Sequence, residues 1–220
     1  MGATLCAVEA DAVMKRRQLI STCVASAVLA VTSFARAESK AALGQPAPNF
    51  SAKDVNGKTV SLADFKGKTV VLEWVNPGCP FVRKHYSSNN MQGTQQDAAA
   101  KNVVWLAINS TATSHSDYLS PAKLGTWMKE QKATATHTLM DEDGKIGLAY
   151  GARTTPHMYI VDGKGTLVYA GGIDSIASAS AADIPKATNY VKVALAEIAS
   201  GKPLSNNVTR PYGCSVKYKS

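Results

Sequence analysis

Apolar positions follow two rhythms along the chain. Nearly unbroken hydrophobic runs in GKTVVLEWV (67–75) and NVVWLAIN (102–109) predict strands buried on both faces. Helical spacing takes over in NYVKVALAEIASGK (189–202), where Val191, Ala194, Leu195 and Ile198 share one face and Gly201 closes the segment. SPAKLGTWMKEQKA (120–133) also predicts a helix, with Ser120 as N-cap and Pro121 at the first helical position. PFVRKHY (80–86) opens another. Before the first buried strand, KDVNGKTVSL (53–62) carries an Asn56-Gly57 turn between extended runs and predicts a hairpin. THTLMDEDGKIGLAYGA (136–152) supplies a strand, a turn and a short helix, and HMYIVDGKGTLVYAGG (157–172) a second hairpin. This order predicts an α/β fold: a central mixed β-sheet flanked by helices, an N-terminal hairpin extension and a C-terminal tail.

The N-terminus follows neither rhythm. MKRRQLISTCVASAVLAVTSFARA (14–37) has a basic start (Lys15, Arg16, Arg17), an apolar middle and small residues at Ala35 and Ala37. That is the pattern of a secretory signal peptide cut before Glu38. Residues 1–13 precede a better start at Met14. KRRQLI matches the twin-arginine signal only in part, which favours general secretion. Later apolar runs fall short of the roughly 18 residues of a spanning helix, so the processed chain is expected in the periplasm or outside the cell, without stable membrane insertion. The expected divisions are 1–37 for extension and leader, 38–204 for one domain and 205–220 for the tail. With 220 residues, 45% of them hydrophobic, the chain suffices for one sizeable core.

Removing residues 1–37 takes away four bases and two acids, so the formal charge of +8 becomes +6. The remaining bases are scattered singly, without the runs or aromatic interleaving of a nucleic-acid surface. Cys6 and Cys23 leave with the leader. The exported chain keeps Cys79 and Cys214, and two thiols in an oxidising compartment invite a disulfide, structural or catalytic.

Cys79 stands in NPGCPFVRKHY, between the end of a buried strand and Pro80. Pro80 at the first helical position costs no hydrogen bond, which puts the cysteine at the N-cap, where unpaired backbone N–H groups and the helix dipole favour thiolate. Arg83 and Lys84, within the next turn, are expected to lower its pKa further. A buried small hydrophobe is the plain alternative.

The opening LGQPAPNFSAKDVNGKTVSLADFKGKTVVLEW, with GCPFVRKHY, LMDEDGKIGLAYGARTTPHMYIVDGKGTLVYAGGID and RPYGCSVKY, resembles the peroxiredoxin-like branch of the thioredoxin family, the redoxins, over residues 43–218. The resemblance implies a thioredoxin-like redoxin domain, thiol–disulfide oxidoreductase activity with Cys79 as nucleophile, no bound cofactor, and protein or small-molecule disulfides and an external thiol reductant as partners. It also implies a cis bond at Thr155-Pro156 and a substrate groove framed by those two residues. Glu73, six before Cys79, stands where thioredoxins hold a buried acid that helps proton transfer; a strand-end or surface carboxylate is the alternative.

The match is incomplete. Val82 replaces the second cysteine of Cys-x-x-Cys. The peroxiredoxin threonine and arginine positions hold Asn76 and Pro156, which leaves thiol peroxidase as an alternative. Cys214 could resolve a mixed disulfide in place of the missing cysteine, form a structural bridge with Cys79 in a redox-inert binding module, or stay unpaired. Copper chaperones share the fold, and His85, His115, His137 and His157 with Met158 are candidate ligands. Arg83 at the second-cysteine position of their motif opposes a cation, however, so no metal is expected and the histidines are assigned to the surface and the groove.

The leader carries a direct expectation. Intact mass of the protein from the cell envelope should correspond to a chain starting at Glu38; a species retaining residues 14–37 would contradict it.

Overall fold

A computed structural model describes residues 40–219 of the chain. The segment expected to be a leader, the cleavage expected before Glu38, Cys6 and Cys23 lie outside the described residues. In chain order the elements are β1 (Ser51–Lys53), β2 (Thr59–Ser61), a 3-10 turn (Leu62–Phe65), β3 (Val70–Trp74), α1 (Pro80–Ser87), α2 (Asn90–Ala100), β4 (Val104–Asn109) and α3 (Pro121–Glu130). There follow β5 (His137–Met140), α4 (Lys145–Tyr150), β6 (Thr154–Thr155), β7 (His157–Val161), β8 (Leu167–Gly171), a 3-10 turn (Ala181–Lys186), α5 (Tyr190–Ala199) and β9 (Cys214–Ser215).

Five strands form the central sheet in the order β5-β4-β3-β7-β8. The pairs β3/β4 and β4/β5 are parallel, whereas β3/β7 and β7/β8 are antiparallel. This is the thioredoxin-like mixed sheet. Both faces are covered, which is why β3, β4 and β7 are buried at every position. Alternation sorts their side chains. Val70, Leu72, Trp74, Leu106, Ile108 and Tyr159 join the core under the N-terminal hairpin and α4. Val71, Val75, Trp105, Met158 and Ile160 face the opposite way, with Val82 and Tyr86 of α1, Leu124 of α3 and Leu195 of α5. Glu73 shares the parity of Val71 and Val75 and is carried into this second core.

Helix α2 has no counterpart among the expected elements, and its buried face explains why. Beside Met91 and Ala98 it buries Gln92, Thr94 and Gln95, so no apolar stripe marks it. Those polar groups have partners instead. Gln92 donates to Tyr86 O, Gln95 accepts from Thr134 N, and Thr94 accepts from Asn189 Nδ2.

The tail is woven into the fold. Ala170 N donates to Asn207 O and Thr209 N to Ala170 O, laying the chain along β8. Gly171 is required there, since a Cβ would lie 2.1 Å from Thr209 Oγ1. The chain then crosses to β6, where β9 pairs antiparallel with Thr154 opposite Ser215 and Thr155 opposite Cys214. Val216 N donates to Arg153 O, Ala112 N to Lys217 O, and the Tyr218 hydroxyl to Ala152 O.

Candidate active site

Strand β3 ends at Trp74, and the chain turns through Asn76, Pro77 and Gly78 into α1. Asn76 ties the turn together: its Oδ1 accepts from Gly78 N at 2.8 Å, and its Nδ2 donates to Asp117 Oδ2 at 3.1 Å. A side chain at Gly78 would lie 2.9 Å from Asp117 Cγ, so the turn needs glycine. Cys79 is the N-cap of α1 and Pro80 stands at its start, as the sequence pattern predicts. The Thr155-Pro156 bond is cis.

These connections bring two distant cysteines together. Both are thiols in this structure, Cys79 buried at 1% exposure and Cys214 half-buried. The Cys79 thiol donates to Thr155 O at 3.0 Å. Burial pushes the Cys79 pKa up, but hydrogen bonds from the Cys214 thiol, from Thr155 and from the backbone N–H groups of Cys214 and Val82 outweigh it and bring the pKa below its ordinary value. Cys214 moves the opposite way, up to about 11, through burial first and then its interaction with Cys79. The pair is therefore asymmetric: the sulfur at the helix terminus is the better thiolate, and the tail sulfur keeps its proton. The buried Thr155 hydroxyl makes no well-formed hydrogen bond among the described residues; its weaker interaction with the Cys79 sulfur is the one that helps to lower the thiol pKa.

The two basic residues expected to activate the thiol are employed elsewhere. Arg83 Nε donates to Pro77 O at 2.7 Å, bracing the turn. Lys84 is buried; its ammonium lies 3.4 Å from Asp174 Oδ2 and donates to Ile176 O and to the Tyr212 hydroxyl. Lys84 stands five residues after the N-cap, and its charge is paired with Asp174. The groups that hold the thiol pKa down are Cys214 of the tail, Thr155 of β6 and the backbone N–H of Val82 in α1.

Glu73 is fully buried, which excludes the surface alternative. Its carboxyl accepts from Trp105 Nε1 at 2.7 Å, from the Tyr86 hydroxyl at 2.9 Å and from Gln95 Nε2 at 3.4 Å. Burial raises its pKa to about 7 against the pull of those three donors. Its bonds thus go to α1, α2 and β4, and it supports the helix that bears Cys79 through Tyr86 instead of touching the sulfur.

The histidines also differ from expectation. His85 and His157 are buried, not superficial, and burial lowers the pKa of each to about 4. His85 bonds to Tyr212 and Asn90, His157 accepts from Arg153 N, and His137 pairs with Asp54. Asp117 and Tyr212 were not singled out by sequence. Asp117 lies close enough to Cys214 to oppose its ionisation. Nothing in its local sequence marks it.

A family profile described as the AhpC/TSA family matches residues 43–170. The chain belongs to the AhpC/TSA family. Within this redoxin group it is 31% identical over 124 residues to the thioredoxin-like protein YneN of Bacillus subtilis, covering 56% of this chain and 68% of that one. It is 29% identical over 137 residues to the thiol:disulfide interchange protein DsbE of Pseudomonas fluorescens, covering 61% and 70%. A crystal structure of an uncharacterized conserved protein from Geobacillus kaustophilus superposes with a TM-score of 0.69 at 27% identity, over 81% of this chain and 93% of the other. The AhpC/TSA match ends at residue 170, before the tail that supplies Cys214.

Two measurements check this electrostatic description. Thr155→Val removes the hydroxyl at nearly constant volume and should raise the Cys79 pKa by roughly one unit, the scale of one hydrogen bond to a charged group; the pH profile of its alkylation reads the shift, and an unmoved midpoint excludes the role. Glu73 keeps its proton in the folded state up to about pH 7, while an unfolded glutamate loses it near 4.5. The folded chain therefore binds the extra proton in that window, and this residue makes stability fall as pH rises through it. Buried neutral His85 and His157 act oppositely from about 4 to 6.5, so the comparison must be differential. Relative to the unmodified protein, Glu73→Gln should gain up to about 3 kcal/mol in urea unfolding between acid and mildly alkaline pH.

Proposed function

We propose that the chain is an exported thiol–disulfide oxidoreductase in which Cys79 is the nucleophile and Cys214 the resolving thiol. The observation that carries this reading is the pairing that sets Cys214 opposite Thr155, whose carbonyl accepts from the Cys79 thiol, so that two thiols of unequal acidity, one capping a helix and one delivered by the tail, act on each other. Membership of the AhpC/TSA family and similarity to a protein named for thiol:disulfide interchange support it. Export rests on the leader pattern over 14–37.

The steps balance as follows. The Cys79 thiolate attacks one sulfur of a substrate disulfide, forming a bond from Sγ to that sulfur and expelling the other as a thiolate, which takes up a proton. Cys214 then loses its proton, and its sulfur attacks Cys79 Sγ, forming the Cys79–Cys214 disulfide and releasing the second substrate thiolate. The substrate disulfide has been reduced by two electrons and the cysteine pair oxidised by two. An external dithiol reverses the change, becoming a disulfide itself. The low pKa of Cys79 serves both halves, as a thiolate when attacking and as a good leaving group when the pair is reduced.

Thr155 supports the thiolate from β6 and Pro80 presets the helix start. Pro156 holds the Thr155 carbonyl in place for the thiol and forms the groove wall with it. Asn76 and Asp117 fix the preceding turn. Glu73 is a positioning residue, acting through Tyr86.

Cys214→Ser should leave the first step intact and trap a covalent adduct at Cys79, detectable by mass after exposure to a small disulfide. A permanent structural bridge gives a different result: the substitution would lower stability by a few kcal/mol, and the pair in the unmodified protein would have a reduction potential below about −300 mV.

A further inference from the structure

Beyond Gly201 the described chain is half-buried or exposed at every residue but one. Tyr212 is 8% exposed, and it stands two residues before Cys214. Its hydroxyl donates to Asp174 Oδ1, accepts from Lys84 Nζ at 3.4 Å and lies 3.2 Å from His85 Nε2. The ring packs edge-on against Phe81 at 5.8 Å, with the Lys84 ammonium 5.4 Å from its centre. Of these four neighbours, Phe81, Lys84 and His85 belong to α1, whose N-cap is Cys79. One helix therefore grips the tail and presents the sulfur that the tail must reach.

The hold on the other side of Cys214 is slight. Strand β9 has two residues, and a ladder that short holds little by itself. Between the two anchorages stands Gly213, at φ +134°, where a Cβ would run into Thr155 O; only glycine lets the chain pass so close. With its one intervening residue pressed against that carbonyl, the chain hands the placement of Tyr212 on to Cys214.

Packing alone does not call for a hydroxyl here, since phenylalanine would fill the same space. The hydroxyl adds hydrogen bonds to a buried carboxylate and a buried ammonium, each of the kind worth roughly a factor of ten or more in an equilibrium. Sulfur exchange within one chain runs at a rate set by the effective concentration of the second thiol at the first. Docking of Tyr212 raises that concentration. It also keeps Cys79 covered, at 1% exposure. The same anchor thus has opposite effects on the two steps of an exchange: it holds back attack on an external disulfide, which needs the tail to lift, and it hastens closure by Cys214.

We propose that Tyr212 is the positioning residue of Cys214: its hydroxyl, docked on the buried Lys84–Asp174 pair, sets the fraction of time that the tail sulfur spends at Cys79. That this placement serves a resolving step rests on the oxidoreductase reading above; the anchoring itself does not.

A chromogenic aromatic disulfide, dithiobis(nitrobenzoate), separates the two steps on the reduced full chain. Cys79 displaces one coloured thiolate and becomes a mixed disulfide; Cys214 then displaces the second and closes the Cys79–Cys214 bond. Cys214→Ser should release the first only, which assigns the phases. In the mixed disulfide the bulky adduct already opposes the tail, so closure is sensitive to the anchor. Tyr212→Phe should speed the first release by about tenfold and slow the second by a similar factor, the size expected of one lost bond to a charged group. Any other pattern would overturn the proposal: a packing role leaves both rates alone, and a general loosening does not move them in opposite directions. Should Tyr212→Phe fail to fold, one glycine inserted between Tyr212 and Gly213 leaves the hydroxyl docked and shifts Cys214 by a residue. Closure must then slow at least about tenfold, and closure at the unmodified rate would refute the idea. If the unmodified chain releases no second thiolate, the resolving role of Cys214 falls, while the first release in Tyr212→Phe still decides the anchoring.

Discussion

The pairing of Thr155 with Cys214 is the constraint on which the rest of the site depends. Two residues of β9 beside two of β6 would be negligible as a free hairpin. Held at both ends, they are enough to set one sulfur against another. Thr155 O meets the Cys79 thiol on one side and the Gly213 backbone on the other, so a single carbonyl registers the helix terminus against the tail. Moving the register by one residue would turn the Cys214 side chain to the other face and leave Cys79 without its nearest donor.

A buried charge cluster holds the upstream end of that arrangement. Lys84 and Asp174 have side-chain exposures of 0% and 2%, and ions so far from water are tolerated only when their remaining hydrogen-bonding positions are filled. Tyr212 fills several at once, touching Asp174, Lys84 and His85. A tyrosine two residues before the cysteine thereby completes the coordination of a charge on α1, the helix that carries the other cysteine. Removing the tail would leave that cluster short of a partner, so folding of the core and seating of the tail are linked.

Much of this was legible in the sequence. Buried runs identified β3, β4 and β7; the Asn56-Gly57 turn, the Pro121 helix start and the Gly201 stop all describe real boundaries. Cys79 as an N-cap followed from Pro80 alone. What stayed hidden was whatever depends on long-range contact. Helix α2 has a polar buried face and so no periodic signal. Lys84 reads as a surface base one turn from the thiol, because Asp174, which claims it, is far along the chain. Thr155, named for the groove, has a second role at the sulfur that becomes visible only when the strand is placed, and the same is true of Gly213, whose necessity lies in a carbonyl across the pair. Composition could not distinguish the ordered tail from a loose one.

The seated tail also bears on the chemical survival of Cys79. A low-pKa cysteine is the kind most readily oxidised, and a sulfenic acid left in the open proceeds to sulfinic and sulfonic acids that cannot be recovered by simple thiols. Here Cys79 is 1% exposed, and the strand beside it carries a thiol that acts on the Cys79 thiol. A sulfenic acid formed there would meet Cys214 first, lose water and close to a disulfide, which an ordinary dithiol can reopen. Under such an attack the seated tail would act as a fuse: the first oxidation would be diverted into a reversible bond, and the irreversible steps of the ladder would find no free sulfur to act on.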